Sequence, residues 1–313
     1  MEHSIITDNL VKTYSGGIQA LKGVNLKVPA GCCFGLLGAN GAGKSTLIKC
    51  LLSIVHITSG NAELAGISVK KSESRRSVGY LSEGHSFPKY LTAAGVCRYF
   101  GRLSGLSGSA LEKEIDEKLA LVEMSDWKKM KVSKFSKGMN QRIGIAQALM
   151  GNPNIVFLDE PTDGVDPVIR LKLRKVITEF CNKGSTVFIN SHLLSEVEVV
   201  CDQIAIMNKG KIIHQGSVAE ITSNKNKDGG LKVIFKTSQI SNDSWNHLSS
   251  QGAEKIDTTQ FSIQLESEQN ISSIVDVLRK NNIDIYAIEP VKLGLEDFFL
   301  ELANENPDKG ETI

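Results

Sequence analysis

The stretch Gly38-Ala39-Asn40-Gly41-Ala42-Gly43-Lys44-Ser45 constrains this chain more than any other. A glycine, four further residues and then Gly-Lys-Ser lie between an apolar run, Cys33-Phe34-Gly35-Leu36-Leu37, and a helical stretch from Lys44 to Leu52. Glycines at this spacing let backbone N–H groups close around phosphate oxygens, and the N-terminus of the following helix adds a favourable dipole. Lys44 is then placed to reach the β- and γ-phosphates of a nucleotide, and Ser45 to ligand Mg²⁺. The predicted architecture is therefore α/β, of the P-loop type. Gly38, Asn40, Gly41, Gly43, Lys44, Ser45 and Thr46 are its candidate nucleotide contacts.

The rest of the first two-thirds is compatible with that unit. Ile5 to Leu10 and Gly23 to Val28 read as strands of an antiparallel β subdomain, with a turn at Pro29-Ala30-Gly31. Residues from about 84 to 150 read as a helical subdomain; within it Leu111, Ile115, Leu119 and Val122 recur at helical spacing. Ile155 to Leu158 and Thr186 to Ile189 are short, continuously apolar strands, separated by a helix from about Val168 to Asn182. Alternating strands and helices of this kind predict a parallel sheet covered on both faces.

A polar, glycine-containing segment, Ser223 to Gly230, predicts a boundary between a domain at 1–224 and a smaller one at 225–313. Beyond it, strands are expected at 231–237, 261–265 and 283–288, and helices at 241–250 and 270–281, a small α+β unit. A last amphipathic helix is expected from Leu295 to Leu302.

Composition narrows the setting. No run approaches the ~20 apolar residues that a bilayer crossing needs. The start, Met1-Glu2-His3-Ser4, lacks the basic and apolar regions of a signal peptide, so a cytosolic protein is expected. The six cysteines show no CxxC spacing and read as free buried thiols. Net charge is +1, although acidic residues outnumber basic ones 15 to 9 after residue 224. That balance disfavours nucleic acid as the main ligand.

The second chemical feature is Ile155-Val156-Phe157-Leu158-Asp159-Glu160, an apolar strand that delivers two carboxylates at its C-terminal end. Parallel sheets bind ligands at that edge. Asp159 is the expected Mg²⁺ partner, and Glu160 is placed to polarise the attacking water.

With these residues in hand, the chain resembles the ATP-binding-cassette (ABC) family over residues 1 to about 222. Pro161-Thr162-Asp163-Gly164-Val165-Asp166-Pro167 is similar to the family's D-loop, with Asp166 at its defining position. Ser191-His192 is similar to the switch histidine that senses the γ-phosphate, and Tyr14 to the aromatic that stacks on adenine. Ser136-Lys137-Gly138-Met139-Asn140-Gln141-Arg142 resembles the signature segment, on a helix expected to start near Met139. The resemblance implies that Ser136 and Gly138 meet the γ-phosphate of ATP held by a second subunit. Two subunits would then close head to tail over two ATPs, as a homodimer or with a related ATPase. It further implies ATP hydrolysis with Mg²⁺, an integral membrane permease as partner, and a place on the inner face of the cell membrane.

Two segments depart from the family pattern. The signature usually reads LSGGQ; here Phe135, Lys137 and Met139 replace its first, third and fifth residues. The glutamine of the Q-loop is replaced by Glu83, which can still ligand Mg²⁺ but adds negative charge beside ATP. Glu83, the Ser-Lys-Gly signature and the C-terminal unit are similar to the exporter-type branch. Phe87, Tyr90, Tyr99 and Phe100 fall where a membrane subunit would dock, or fill the helical subdomain's core. The alternative function is a soluble ABC-type ATPase acting on ribosomes or nucleic acid.

Overall fold

The computed structural model describes residues 3–222, 231–267, 269–291, 294–296 and 298. The chain divides into two compact units, the first ending at Val218 and the second beginning at Ala219. Residues 223–230, where the sequence places the linker, lie outside the described residues.

The first unit opens with β1 (His3–Thr13) and β2 (Gln19–Pro29), followed by β3 (Cys33–Leu37), α1 (Lys44–Leu51), β4 (Ser59–Leu64), β5 (Ile67–Ser68) and β6 (Val78–Leu81). Strands β2-β1-β4-β5 form a four-stranded antiparallel sheet. Its inner face carries Ile5, Leu10, Leu21, Val24, Leu26 and Val28, all fully buried against α1 and the central sheet.

The helical segment comprises α2 (Ala93–Leu103), α3 (Gly108–Leu121) and α4 (Lys137–Ala148). Leu111, Ile115, Leu119 and Val122 are buried, as their spacing predicts. The start of α4 differs from the sequence reading by two residues. Ser136 is its N-cap and accepts a hydrogen bond from the Met139 amide at 3.2 Å, so the helix begins at Lys137 despite Gly138.

The chain then supplies β7 (Ile155–Asp159), α5 (Pro167–Asn182), β8 (Thr186–Asn190), α6 (Leu194–Val200), β9 (Gln203–Asn208) and β10 (Lys211–Ser217). These complete a six-stranded sheet ordered β10-β9-β3-β8-β7-β6, parallel except at β10. Every residue of β3, β7 and β8 is buried, as strands covered on both faces require. Across neighbouring strands of this sheet, Phe188 stacks on Phe34 and tilts against Phe157.

The cysteines are free. Cys33, Cys50, Cys97 and Cys201 are buried, whereas Cys32 and Cys181 are half-buried. Burial pushes the Cys97 thiol up to about 12, which keeps it protonated and unreactive. Among the described residues no helix is long and apolar enough to cross a membrane.

The second unit opens within a short helical turn, α7 (Val218–Ile221). It comprises β11 (Leu231–Thr237), α8 (Asn242–Ser250), β12 (Ala253–Lys255), β13 (Gln260–Leu265), α9 (Asn270–Lys280) and β14 (Ile285–Pro290). The strands pair antiparallel in the order β12-β13-β11-β14. A β-α-β-β-α-β chain in that order is the ferredoxin-like, split βαβ arrangement. Phe235 stacks on Phe261 at 5.1 Å, under Leu248 of α8 and Ile274 and Leu278 of α9. Most of the helix expected at 295–302 lies outside the described residues; Leu295 is buried, and the Phe298 amide donates to the Gly294 carbonyl.

Candidate active site

The glycine-rich loop runs from the C-terminal end of β3 into α1, and two of its glycines are demanded by their surroundings. Gly38 has φ +152°, and a Cβ there would run into the carbonyl oxygen of Met207. Gly43 has φ +108°, and a Cβ would sit 2.7 Å from the Ala20 carbonyl oxygen. No side chain caps α1, so its first amide groups stay open for an anion. Lys44 Nζ donates to the carbonyls of Gly38 at 2.7 Å and Ala39 at 3.2 Å, which arches the loop around its own lysine.

A cleft of about 540 Å³ opens above this loop, in the size range of small-ligand pockets. Asn40, Gly41, Gly43, Lys44, Ser45 and Thr46 line one side; Glu83, Glu160 and His192 line the other. The structure thus brings together nine of the residues singled out in the sequence. Tyr14 is held against α1, its hydroxyl 3.4 Å from Thr46 Oγ1. Ser136, Gly138 and Asp166 are not in the wall of this cleft. Asp166 caps α5, accepting from the Ile169 amide at 3.0 Å.

The two carboxylates at the end of β7 differ in setting. Asp159 is 2% exposed and accepts a hydrogen bond from Asn190 Nδ2. Burial raises its pKa; the Asn190 bond and the Lys44 charge oppose that rise. Glu160 stands one step further out, with its carboxylate Oε2 2.9 Å from His192 Nδ1. Its pKa is also raised by burial, against the pull of His192 and Lys44. Lys44 in turn is lowered by burial, opposed by the charges of Glu160, Asp159 and Glu83. Glu160 has φ +51°, a left-handed backbone that costs a non-glycine residue roughly 1–2 kcal/mol. That turn lifts the Glu160 side chain off the strand direction and toward His192.

The donor set suits Mg²⁺. The Ser45 hydroxyl and the Glu83 and Asp159 carboxylates are hard oxygen ligands, and Asn190, which lines the cleft, has a buried Oδ1 with no hydrogen-bond partner. Among the described residues no three His, Cys, Asp or Glu side chains form a metal cluster. Mg²⁺ does not require one, because it takes one or two carboxylates and fills the rest of its shell with phosphates and water.

Three further residues belong to this region and carry no role in the sequence reading. Asn190 and Asp163 line the cleft. Asn190 directly precedes Ser191-His192 at a strand's C-terminal end, so the argument that found Glu160 would have found it. Gln141 of α4 donates to the carbonyls of Glu160 and Pro161, both at 2.9 Å. On the other side of α4, His85 Nε2 lies 3.1 Å from the Asn140 carbonyl, which ties the Glu83 loop to the same helix.

A phosphate loop, a carboxylate pair at the parallel sheet's edge and a histidine just after the next strand define a P-loop nucleoside triphosphatase. Residues 21–163 match the family described as ABC transporter. An ABC transporter ATP-binding protein of Synechocystis is 34% identical over 299 residues, 92% of this chain and 79% of the relative. The bacitracin transport ATP-binding protein BcrA of Enterococcus faecalis is 31% identical, over 96% of this chain and 97% of its own length. The linearmycin resistance ATP-binding protein LnrL of Bacillus subtilis is 30% identical, over 94% and 96%. Among solved structures, a dimeric ATP-binding cassette in a post-hydrolysis state with ADP and phosphate superposes with a TM-score of 0.64. It is 25% identical and covers 68% of this chain and 98% of its own. The chain belongs to the ATP-binding subunits of ABC transporters. Its activity is ATP hydrolysis, with ATP and Mg²⁺ as the ligands of the site.

Proposed function

We propose that this subunit drives export of a substrate through a separate integral membrane permease, working as a homodimer or with a related ATPase. Support comes from its relatives in bacitracin transport and linearmycin resistance, which match it along nearly their whole length, second unit included. The observation that carries the chemistry is the 2.9 Å contact between Glu160 and His192 across the cleft from Lys44.

In this reading Glu160 is the general base that orients and deprotonates the attacking water, and its raised pKa keeps it a competent proton acceptor. His192, on its flank, fixes the Glu160 carboxylate and contacts the γ-phosphate. Lys44 and the open amides of α1 hold the β- and γ-phosphates, and Tyr14 stacks on the base. Ser45, Glu83 and Asp159 would hold Mg²⁺, whose contribution is neutralising charge on the β- and γ-phosphates. Ser136, Gly138 and Asp166 serve the composite site formed with a second subunit, which agrees with their place outside this subunit's own cleft.

Tyr90 and Tyr99 are largely exposed, while Phe87 and Phe100 are half-buried and pack edge to face at 6.3 Å. The two tyrosines are thus the candidate contacts for the permease, and the two phenylalanines belong to the subdomain's packing. The second unit is an accessory domain with a regulatory or dimer-stabilising role. Affinity capture of the full chain from detergent-solubilised membranes tests the assignment. Recovery of a multi-span membrane protein supports it, and recovery of ribosomes without one would overturn it.

A further inference from the structure

We propose that Gln141 is the positioning residue for Glu160, and that it links the signature end of α4 to the hydrolytic carboxylate of the same subunit. The inference rests on the reading of Glu160 as the base. Three side-chain positions on the first two turns of α4 meet the segment that follows β7. Lys137 Nζ pairs with Asp163 at 2.8 Å. Gly138 is packed so that a Cβ would sit 3.4 Å from the Gly164 carbonyl oxygen. Gln141, 8% exposed, spends its amide nitrogen on two successive carbonyls, those of Glu160 and Pro161. Positions 137, 138 and 141 lie on one helix face, so segment 160–164 moves with α4.

The Gln141 contacts differ in kind from the other two. Glu160 is held at φ +51°, a conformation that a glutamate abandons unless its surroundings fix it. Its amide donates to the Asn190 carbonyl at 2.9 Å, which anchors one side of the residue to β8. On the carbonyl side, the Asp163 amide closes a turn at 3.3 Å, and Gln141 Nε2 supplies the shorter bond. Without Gln141 the part-buried Glu160 carbonyl and the buried Pro161 carbonyl lose a donor, and Glu160 can relax toward ordinary backbone geometry. Its carboxylate would then leave the 2.9 Å position against His192. Gln141 does not line the cleft; it acts through the backbone of Glu160 and Pro161. Because Ser136 and Gly138 lie on the same helix end, displacement of that end by a second subunit is passed to Glu160 most directly through the Gln141 amide.

The test uses the full-length chain and compares ATP hydrolysis by wild type, Gln141→Met, Glu160→Gln and the double variant. Methionine preserves side-chain volume and removes the donor. The expected result for Gln141→Met is a kcat at least tenfold lower, with KM for ATP and the Kd of a fluorescent ATP analogue within twofold of wild type. In the Glu160→Gln background the same substitution should change the residual single-turnover rate by less than twofold, since the group it positions is already gone. A kcat within twofold of wild type overturns the proposal, as does an equal loss in both backgrounds or a rise in KM matching the fall in kcat. If Gln141→Met does not fold, Gln141→Asn, whose amide falls one methylene short, carries the same comparison. Wild-type turnover by Glu160→Gln alone would remove Glu160 as base and the inference with it. A slow Glu160→Gln beside a normal Gln141 variant would overturn the inference alone.

Discussion

The imidazole Nδ1 of His192 lies 2.9 Å from Oε2 of Glu160, and the Ser191 hydroxyl reaches the same oxygen at 3.5 Å. One carboxylate oxygen is therefore held by the Ser191-His192 segment. Glu160→Gln keeps the shape but loses the base, and hydrolysis should fall by about 10²–10⁴-fold. ATP binding should survive, so the variant should accumulate as an ATP-bound dimer, read by size-exclusion chromatography with ATP. Turnover at the wild-type rate would remove Glu160 from the base role.

The raised pKa values of Asp159 and Glu160 set a pH dependence of stability for the nucleotide-free protein. A carboxyl whose folded pKa lies above its unfolded value binds its proton more tightly when folded. Its contribution is fully present below the ordinary carboxylate range and is lost as pH rises through the folded value. Glu160→Gln should therefore melt higher than wild type at neutral pH, and the gap should close as pH falls to about 4. Melting curves without nucleotide across that range decide it. A gap that widens on acidification would contradict the desolvation account.

Glu83 is exposed at the cleft and adds negative charge beside Asp159 and the phosphates. Glu83→Gln retains an oxygen ligand for Mg²⁺ and removes a like charge, so ATPase activity should be kept or raised and ATP should bind a few-fold tighter. Titration with ATP at fixed Mg²⁺ and a turnover assay check both. An inactive Gln variant would mean that the site requires the charge itself.

Gly79 on β6 lies against the end of α4, and a Cβ there would run into the Ala148 carbonyl oxygen and crowd Pro153. Neither neighbour is a flexible side chain that can swing away. Gly79→Ala should destabilise the first unit by about 1–3 kcal/mol or more, a typical cost of overpacking. Urea unfolding should register the loss as a lower midpoint, and an unchanged midpoint would show that β6 can shift to accommodate the methyl.

Most of the cleft is legible in the sequence because its parts are local: a glycine loop, an apolar strand ending in two acids, a histidine after the next strand. The parts that are not legible depend on segments far apart in the chain. Gln141 meets Glu160 only because the latter turns left-handed and presents its carbonyl to α4. The ferredoxin-like order of the second unit is hidden because β12 is three residues long and two of them are charged, which erases the strand pattern. Cys33 and Cys201 are distant in sequence yet their sulfurs lie 3.6 Å apart, since β3 pairs with β9 just after α6.

Glu114 and Lys118 illustrate the same limit and carry the last prediction. On the sequence they are ordinary charges four apart on α3; in the fold their side chains are only 10% and 7% exposed, with Lys118 Nζ 3.8 Å from Glu114. Both are buried because α3 lies over the turn at Gly151-Asn152. Lys118 donates to Asn152 Oδ1 at 2.7 Å, and Glu114 accepts from the Gly151 amide at 2.6 Å. The ammonium also sits 5.1 Å from the ring centre of Phe180 on α5, which ties the helical segment to the core. Burial lowers the Lys118 pKa, and the neighbouring Glu114 charge opposes that fall. Removing that partner in Glu114→Ala should cost about 3–5 kcal/mol, because a buried ammonium is left uncompensated. Replacing both, as Glu114→Leu with Lys118→Met, should restore most of the loss, since a packed apolar pair needs no desolvation of charge. Chemical denaturation of the three proteins separates the outcomes. Equal stability of Glu114→Ala and wild type would show that water reaches Lys118 and that the pair is not sealed.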